Sequence, residues 1–321
     1  MNINEIKNSN FSQAQLDELQ ALFNQKAYQD SSTAAGNIIV DYDAELQRLT
    51  WRTSPSYAYL KTKIESSTNS IEVGYRMKKQ MTDASFIAEG AEIPPHDPSI
   101  YTKTSQMMST LVYPIEITDI AEEGASGYVD LWQDEINDGY IDIDQRIDRC
   151  VLQGKKSEDA NAFDGFTTLF RTNTIDLKAE QITLEDVDIL AQAMIDVGGT
   201  PTAIFTTSAV ARRLKDLILA KTVYQYNVTQ ILGFNVLTYV TPSGSQIPII
   251  IDSNLEPSAK GDYLIMIDES SLRMKTLRDT YLVDLAKTKL TTSRVLVKEF
   301  TMYCRAEYQN GYLYNVNPKM E

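Results

Sequence analysis

The sequence has one histidine and two cysteines in 321 residues, and this scarcity excludes several kinds of site. Zinc sites usually take several Cys or His ligands, and a Ser-His-Asp triad needs a histidine inside a formed pocket. His96 lies instead in the proline-rich stretch IPPHDP. Cys150 and Cys304 each lie in an apolar pattern and far from any CxxC spacing, so we expect two buried, reduced thiols.

Several sequence signatures of enzymes and membrane proteins are also missing. There is no P-loop, no dinucleotide-binding glycine fingerprint, no GxSxG elbow and no EF-hand loop. No apolar run approaches the roughly 18 residues of a membrane span, and the first residues lack the pattern of a secretion signal. We therefore expect no catalytic residue, no metal, no cofactor and no membrane contact. A carboxylate-based hydrolase of mixed α/β fold remains the enzyme alternative.

Basic residues are few beside acidic ones, since 30 Lys and Arg face 44 Asp and Glu, giving a net charge of −14. A protein that binds nucleic acid without sequence preference would show a basic surface patch. The acidity is concentrated from Glu116 to Asp148, where eleven acidic residues accompany one base, Arg146. Within this segment an acidic ladder recurs every four residues: Asp130, Asp134, Asp138 and Asp142. It is either a solvated face or a contact for cations or for a basic partner such as a scaffolding protein.

What the sequence does contain is a long hairpin. Alternating apolar and polar residues predict a strand over 70–78, and a return strand follows over 99–118. Two polar strands of this length are marginal in water without further support. The tip between them, DASFIAEGAEIPPHDP, carries apolar side chains that a monomer cannot easily bury. We predict contacts with a neighbouring subunit through Arg76, Lys78, Phe86, Ile87, Glu89, Ile93 and Pro94; the alternative is a hairpin lying on its own domain.

Apolar residues at helical spacing predict four helices. A short one over 11–28 leads into a polar stretch and forms an arm. The longest covers 128–153, ends at Gly154, and has an apolar stripe of Val129, Trp132, Ile136, Tyr140, Ile143, Ile147 and Val151. Another begins with a capping box at Thr183 and Asp186, has a stripe that ends at Val197, and stops at the following glycine pair. The fourth starts at Ser208, which we expect to be its cap.

The remaining chain is predicted to be mostly strands. β-Branched and aromatic runs between turn signals indicate strands over 203–206, 234–240, 247–251, 263–267, 273–277, 281–285 and a final pair over 293–314. Asn310-Gly311 is a strong hairpin signal within that last pair.

In this order, the features resemble the major capsid proteins of tailed bacteriophages, which have the Hong Kong 97 fold. The resemblance spans residues 40–316. It rests on the tip FIAEGAEIPPHDP, the return-strand end VYPIEITDIAEEG, the helix end CVLQGKK, and then FDGF, ITLEDVDILAQAMIDVGG, TAIFTTSAVARRL, PIIIDSN and VLVKEFTMYCRAEYQNGYLY.

The resemblance implies an α+β fold with four parts: an N-terminal arm over 1–40, a peripheral domain over 41–69, 115–180 and 291–321, an extended loop hairpin over 70–114, and an axial domain over 181–290. In that family the axial domains meet at capsomer centres and the loop overlies a neighbouring subunit. The implied function is a non-enzymatic shell of pentamers and hexamers, which assembles in the host cytoplasm and encloses double-stranded DNA in the virion without sequence-specific binding.

Two departures from relatives refine these expectations. About 70 residues precede the hairpin, fewer than a fused scaffolding segment needs, so the resemblance implies a separate scaffolding protein, with a portal and a decoration protein as further candidate partners. Lys78, Lys79 and Lys103 lie in the hairpin, but no Asn precedes Glu307 in its strand, so we expect a non-covalent shell. An encapsulin-like nanocompartment, which has the same fold and holds protein cargo, remains the second interpretation.

Overall fold

A computed structural model describes residues 53–79, 81–90, 92–125, 130–221, 229–231, 234–287 and 290–317, with the side chains of 219–236 left out. The predicted arm over 1–40, including its helix over 11–28, lies outside these residues.

The described helices contain fewer residues in total than the described strands. One helix is much longer than the others. They are α1 Pro55–Ile64, α2 Asp119–Ala125, α3 Leu131–Gln153, α4 Phe166–Leu169, α5 Leu184–Asp196 and α6 Ser208–Lys221.

The strands form two larger sheets and two small ones. They are β1 Glu65–Ser67, β2 Glu72–Lys79, β3 Ile100–Met107, β4 Ser109–Thr118, β5 Asn173–Asp176, β6 Ala203–Thr206, β7 Thr229–Ile231, β8 Phe234–Val236, β9 Thr238–Val240, β10 Gln246–Ile251, β11 Asp262–Ile267, β12 Leu272–Asp284, β13 Thr291–Cys304 and β14 Gly311–Val316.

Each of the two larger sheets has its own core. The first sheet has the order β1-β12-β13-β4 and packs on α1 and α3. The second has the order β5-β14-β11-β6-β10-β9 and packs on α5 and α6. The hairpin β2-β3 and the pair β7-β8 form separate two-stranded sheets.

The long helix α3 lies close to the first sheet because of a glycine. Gly139 is buried, and a Cβ atom there would lie 2.5 Å from Leu296 and 2.7 Å from Tyr113. The predicted stripe is confirmed at its C-terminal end, where Ile143 and its successors at 147 and 151 are buried. The predicted stripe is wrong at Tyr140, which is 41% exposed. Gly139 faces the sheet in its place, and the lack of a side chain there allows the helix to lie closer to the sheet.

Local capping signals are mostly confirmed. The Thr183 hydroxyl accepts the Asp186 N–H at 3.2 Å, and the Asp186 carboxylate accepts the Thr183 N–H at 2.9 Å, so the capping box is complete. Gly198, with φ +82°, follows the end of α5. The cap predicted at Ser208 is wrong, because Thr207 precedes the helix and its hydroxyl accepts the Val210 N–H at 3.5 Å.

The return strand predicted over 99–118 is divided at Met108. Its first part, β3, pairs with β2 in the hairpin, whereas its second part, β4, pairs with β13 in the first sheet. The prediction of one continuous strand is therefore wrong, because the chain passes from one sheet to another at this residue.

The final strand pair predicted over 293–314 is not a hairpin. β13 and β14 belong to different sheets, and a 3-10 turn over Glu307–Gln309 precedes Asn310. Asn310 is fully buried; its amide donates to Ser271 Oγ at 2.7 Å, and its oxygen accepts the Asp268 N–H at 2.8 Å. The Asn-Gly pair therefore lies where the chain crosses between sheets, and the asparagine satisfies buried polar groups there.

Both cysteines are free thiols. Cys304 is buried, and this burial raises the pKa of its thiol to about 11. Cys150 is only half-buried, although burial also raises its thiol pKa. The prediction of a buried thiol is thus confirmed for Cys304 and holds in part for Cys150.

A buried polar cluster connects α1, α3 and the loop after β10. Asp148 and Asp252 are 0% and 1% exposed. Asp148 accepts the Tyr57 N–H at 2.7 Å and the Asn254 amide at 2.9 Å, and Asp252 accepts the Ser56 hydroxyl at 2.5 Å. Burial, followed by the hydrogen bond and negative charge of Asp252, raises the pKa of Asp148 far above its usual range. Asp148 therefore keeps its proton at higher pH than an exposed aspartate does.

The raised pKa of Asp148 gives the fold a predicted pH dependence. Folded Asp148 keeps its proton at pH values where the unfolded side chain, with a pKa near 3.8, has lost it, so stability falls as the pH rises. The loss from this group is up to about 1.4 kcal/mol per pH unit between about pH 4 and 7. Asp148→Asn should flatten that decline, which urea unfolding of the unassembled chain at several pH values measures.

Asp142→Asn is the matched control, because this exposed carboxylate lies on the same helix. It should keep the parent's slope. An equal slope in Asp148→Asn and the parent would contradict the raised pKa of Asp148.

Candidate assembly interface

The hairpin β2-β3 is a regular antiparallel ladder that runs from the pair Glu72–Met107 to the pair Lys79–Ile100. Most of its side chains are exposed; Val73, at 8% exposure, is the buried exception in β2. The alternation read from the sequence is therefore confirmed as strand geometry, but the apolar side of the strand is covered only near its base.

The base of the hairpin is held on the body by contacts that sequence reasoning did not find. The rings of Tyr75 and Tyr303 stack with centroids 5.7 Å apart and planes 10° apart, which joins β2 to β13. The Met108 N–H donates to the Ile71 oxygen at 3.0 Å. Because the two tyrosines are 228 positions apart in the chain, no local pattern indicates their pairing.

The tip is closed by a threonine between the two ends of its loop. The Asp97 N–H donates to the Thr82 hydroxyl at 2.8 Å, and this hydroxyl lies 2.9 Å from the Asp97 oxygen and 3.2 Å from His96 Nδ1. Gly90, with φ +80°, forms the turn at the far end. His96 thus contributes to loop closure.

The predicted contact residues are all exposed on this one hairpin. Phe86 is fully exposed and Ile93 is 82% exposed. The others are likewise exposed: Arg76, Lys78, Ile87, Glu89 and Pro94. The structure therefore brings these residues together on one element that projects apolar groups into solvent, and their contact with another subunit stays a prediction.

The acidic ladder on α3 is divided between different environments. Asp130 is the N-cap of α3, and its carboxylate accepts the Gln133 N–H at 3.1 Å. Asp134 and Asp138 are half-buried, whereas Asp142 is exposed. The four carboxylates are therefore not equivalent, because the first one stabilises the helix end, and whether the ladder is a solvated face or a partner contact stays a prediction.

The ladder still produces a local negative field. Burial, followed by the charges of Glu135, Asp142 and Asp138, raises the pKa of Tyr113 on the adjacent strand. A cation or a basic segment would meet this field at the N-terminal half of α3.

Other functional groups were sought in the same residues. Within the described ranges, no group of three or more His, Cys, Asp or Glu side chains is arranged to hold a metal ion. Nor does any helix in the described part of the chain combine the length and apolar character needed to span a bilayer.

Three solved structures illustrate the similarity of this architecture to known folds. Microbacterium phage Oxtober96 is 13% identical, with a TM-score of 0.65, and the match covers 89% of this chain and 98% of that chain. The capsid of a native GTA particle is 10% identical, with a TM-score of 0.67 and coverage of 88% and 97%. The holo-SrpI encapsulin complex from Synechococcus elongatus PCC 7942 is 9% identical, with a TM-score of 0.67 and coverage of 90% and 96%.

At these identities the likeness concerns the fold, and it confirms the predicted α+β, Hong Kong 97-like capsid architecture. A sequence comparison with curated proteins finds no match. The profile of the SU10 major capsid protein family matches residues 20–317. Because this match includes nearly the whole chain, the protein belongs to the SU10 major capsid protein family.

Proposed function

We propose that copies of this chain form the closed icosahedral shell of a phage head around double-stranded DNA, with the hairpin β2-β3 overlying the neighbouring copy. Membership of a major capsid protein family gives the chain a structural role in the virion. Shell proteins need many repeated contacts, each of which can be modest because the closed assembly combines them.

The observation that carries the proposal is the distribution of exposed apolar side chains. Among the described residues, nine of the 21 exposed large apolar side chains lie between Ile71 and Met107. Such a concentration on one projecting element is typical of a protein–protein contact. The anchored base and the closed tip keep these groups in place for a partner.

The second candidate function is an encapsulin-like compartment, favoured by the similarity to the SrpI shell. The family match favours the phage head. Electron microscopy of purified particles, combined with a nuclease-protection assay, tests the proposal. Closed shells with protected DNA from an infected host support it, whereas shells that hold only a protein cargo would overturn it.

The negative charge of the chain supports a shell that encloses DNA without binding it specifically. A net charge of −14 and the acidic ladder offer no broad basic surface for phosphate contacts. We therefore propose that DNA is retained by confinement and screening cations.

We further propose that the ladder binds a basic segment of a separate scaffolding protein before packaging, in the host cytoplasm. Portal and decoration proteins join the same shell.

The first prediction of this proposal concerns the tip. Phe86→Asp with Ile87→Asp should leave a folded chain, because both side chains are exposed, but it should reduce closed shells about tenfold or more by placing charge in an apolar contact. Sedimentation and electron microscopy measure shell yield, and circular dichroism checks the fold.

Phe86→Leu with Ile87→Val keeps the apolar character and should assemble like the parent. If the aspartate variant forms as many shells as this control, the tip is not an interface.

The second prediction concerns the acidic ladder. Asp134→Asn with Asp142→Asn keeps the cap at Asp130 and removes two charges, so it should weaken co-assembly with a basic scaffolding protein. The helix should gain a few tenths of a kcal/mol at most, because like-charge repulsion decreases (about 0.2–0.5 kcal/mol per pair). Co-sedimentation across a salt series measures the effect, which should vanish at high salt.

Glu185→Gln with Asp196→Asn removes the same charge from exposed positions on α5 and serves as the control. Equal co-assembly by the two double variants would contradict the docking proposal and indicate that the ladder is only a solvated face.

A further inference from the structure

The stem of the hairpin carries a basic face. Along β2, Arg76 and Lys78 lie on the same side of the ladder, because alternate residues of a strand share a face. Lys103 is paired directly with Arg76, and Tyr101 is paired with Lys78, so the four side chains form one patch. All four are exposed. We name this patch of Arg76, Lys78, Tyr101 and Lys103 the basic stem face.

The positive charges of this face have no acidic partner within the described ranges. Arg76, Lys78 and Lys103 take part in none of the salt bridges found there. The pairing of Arg76 with Lys103 places two like charges directly opposite each other, which is unfavourable in an isolated hairpin. The two stem segments, 71–79 and 100–107, contain four cationic residues and one acidic residue, although the whole chain is strongly acidic. An anionic partner would relieve this repulsion.

The basic stem face also carries an exposed aromatic ring. Tyr101 is 64% exposed, and Lys78 Nζ lies 6.0 Å from the centroid of its ring. Aromatic rings are enriched at the centres of protein contacts, because they offer a large rigid surface. The face therefore suits a partner that presents apolar side chains together with carboxylates.

The hairpin tip of this same chain has that composition. Residues 83–98 contain four acidic residues and no Lys or Arg. Glu89 and Glu92 lie on either side of the turn at Gly90, and both are exposed. Phe86 and Ile93 project from the same loop into solvent. The tip is therefore complementary to the basic stem face in charge and in apolar character.

Within one described chain these two surfaces stay apart. No carboxylate of the tip forms a salt bridge with a stem cation in the described ranges. A second copy of the chain can bring a tip and a stem together.

We propose that the basic stem face receives the hairpin tip of a neighbouring copy, with Glu89 and Glu92 facing its cations. This inference rests on the proposed function of the hairpin and assigns the surface that the tip contacts. Each copy gives its tip to one neighbour and receives the tip of another. Such a head-to-tail contact joins two different surfaces, and it produces rings when the rotation between copies closes.

DNA phosphate is the other anion that a phage shell meets, and it fits this face less well. The four carboxylates of the tip lie on the same hairpin and repel a phosphate backbone that follows it. The exposed apolar side chains of the tip also have no counterpart in a phosphate backbone. The tip of a second copy is therefore the better partner.

Charge reversal on both surfaces tests the proposal. Arg76→Glu with Lys103→Glu keeps a like-charge pair across the two strands and should reduce the yield of closed shells about tenfold. Glu89→Lys with Glu92→Lys should reduce the yield by a similar factor. The chain that carries all four changes should recover most of the lost yield, because opposite charges again face each other between copies.

Lys79→Glu is the matched control for Lys103→Glu. Lys79 is exposed on the opposite side of β2 from Arg76, so this control should form shells like the parent, whereas Lys103→Glu should not. Arg76→Gln with Lys103→Gln removes the repulsion between the strands and should fold at least as well as the parent. It should still lower the shell yield, which keeps the test usable if the reversed pair fails to fold.

Chemical cross-linking measures the contact directly. Shells assembled from equal amounts of isotopically light and heavy chains should give carbodiimide cross-links between Glu89 or Glu92 of one copy and Lys78 or Lys103 of another. Mass spectrometry identifies such links as mixed light and heavy peptides. Links from these glutamates only to lysines outside the stem would overturn the proposal.

The outcomes separate this proposal from the one on which it rests. If Phe86→Asp with Ile87→Asp blocks assembly while the stem variants form shells like the parent, the hairpin is an interface but its tip binds elsewhere, and the inference is overturned. If the stem variants form normal shells that retain less DNA, the basic stem face binds phosphate, which also overturns it.

Discussion

The buried carboxyl pair of Asp148 and Asp252 determines where the long helix lies. Both side chains are closed to water and accept hydrogen bonds from Ser56, Tyr57 and Asn254. Burial raises the pKa of Asp148. These bonds join α1, α3 and the loop after β10 at one point. Because the acidic ladder is on α3, its position depends on this cluster.

A buried lysine provides a second connection between α1 and the first sheet. Lys298 on β13 is 1% exposed, and its ammonium group donates to the Tyr57 hydroxyl at 2.6 Å and to Asp279 at 3.1 Å. A buried charge is tolerated only when it is paired in this way. The first sheet and the helices on it are thus held by satisfied polar groups as well as by apolar packing.

The hairpin is held by few contacts with the rest of the chain. Tyr75 and Tyr303 fix its base, and Thr82 closes its tip, while its apolar side chains stay open. On α3, acidic side chains occur from Asp134 to Asp148, and the two arginines, Arg146 and Arg149, both lie in the C-terminal half.

The sequence by itself determined the features that depend on near neighbours. The strand at 70–78, the capping box of Thr183, the end of α3 at Gly154 and the exposed tip follow from period, caps and composition within a few residues. The fold class followed from their order. Only the tertiary structure decided that β13 and β14 belong to different sheets, that Tyr75 meets Tyr303, and that Asn254 lies beside Asp148. These contacts join residues tens to hundreds of positions apart, and their free energy comes from burial and pairing across the fold, which no local pattern records.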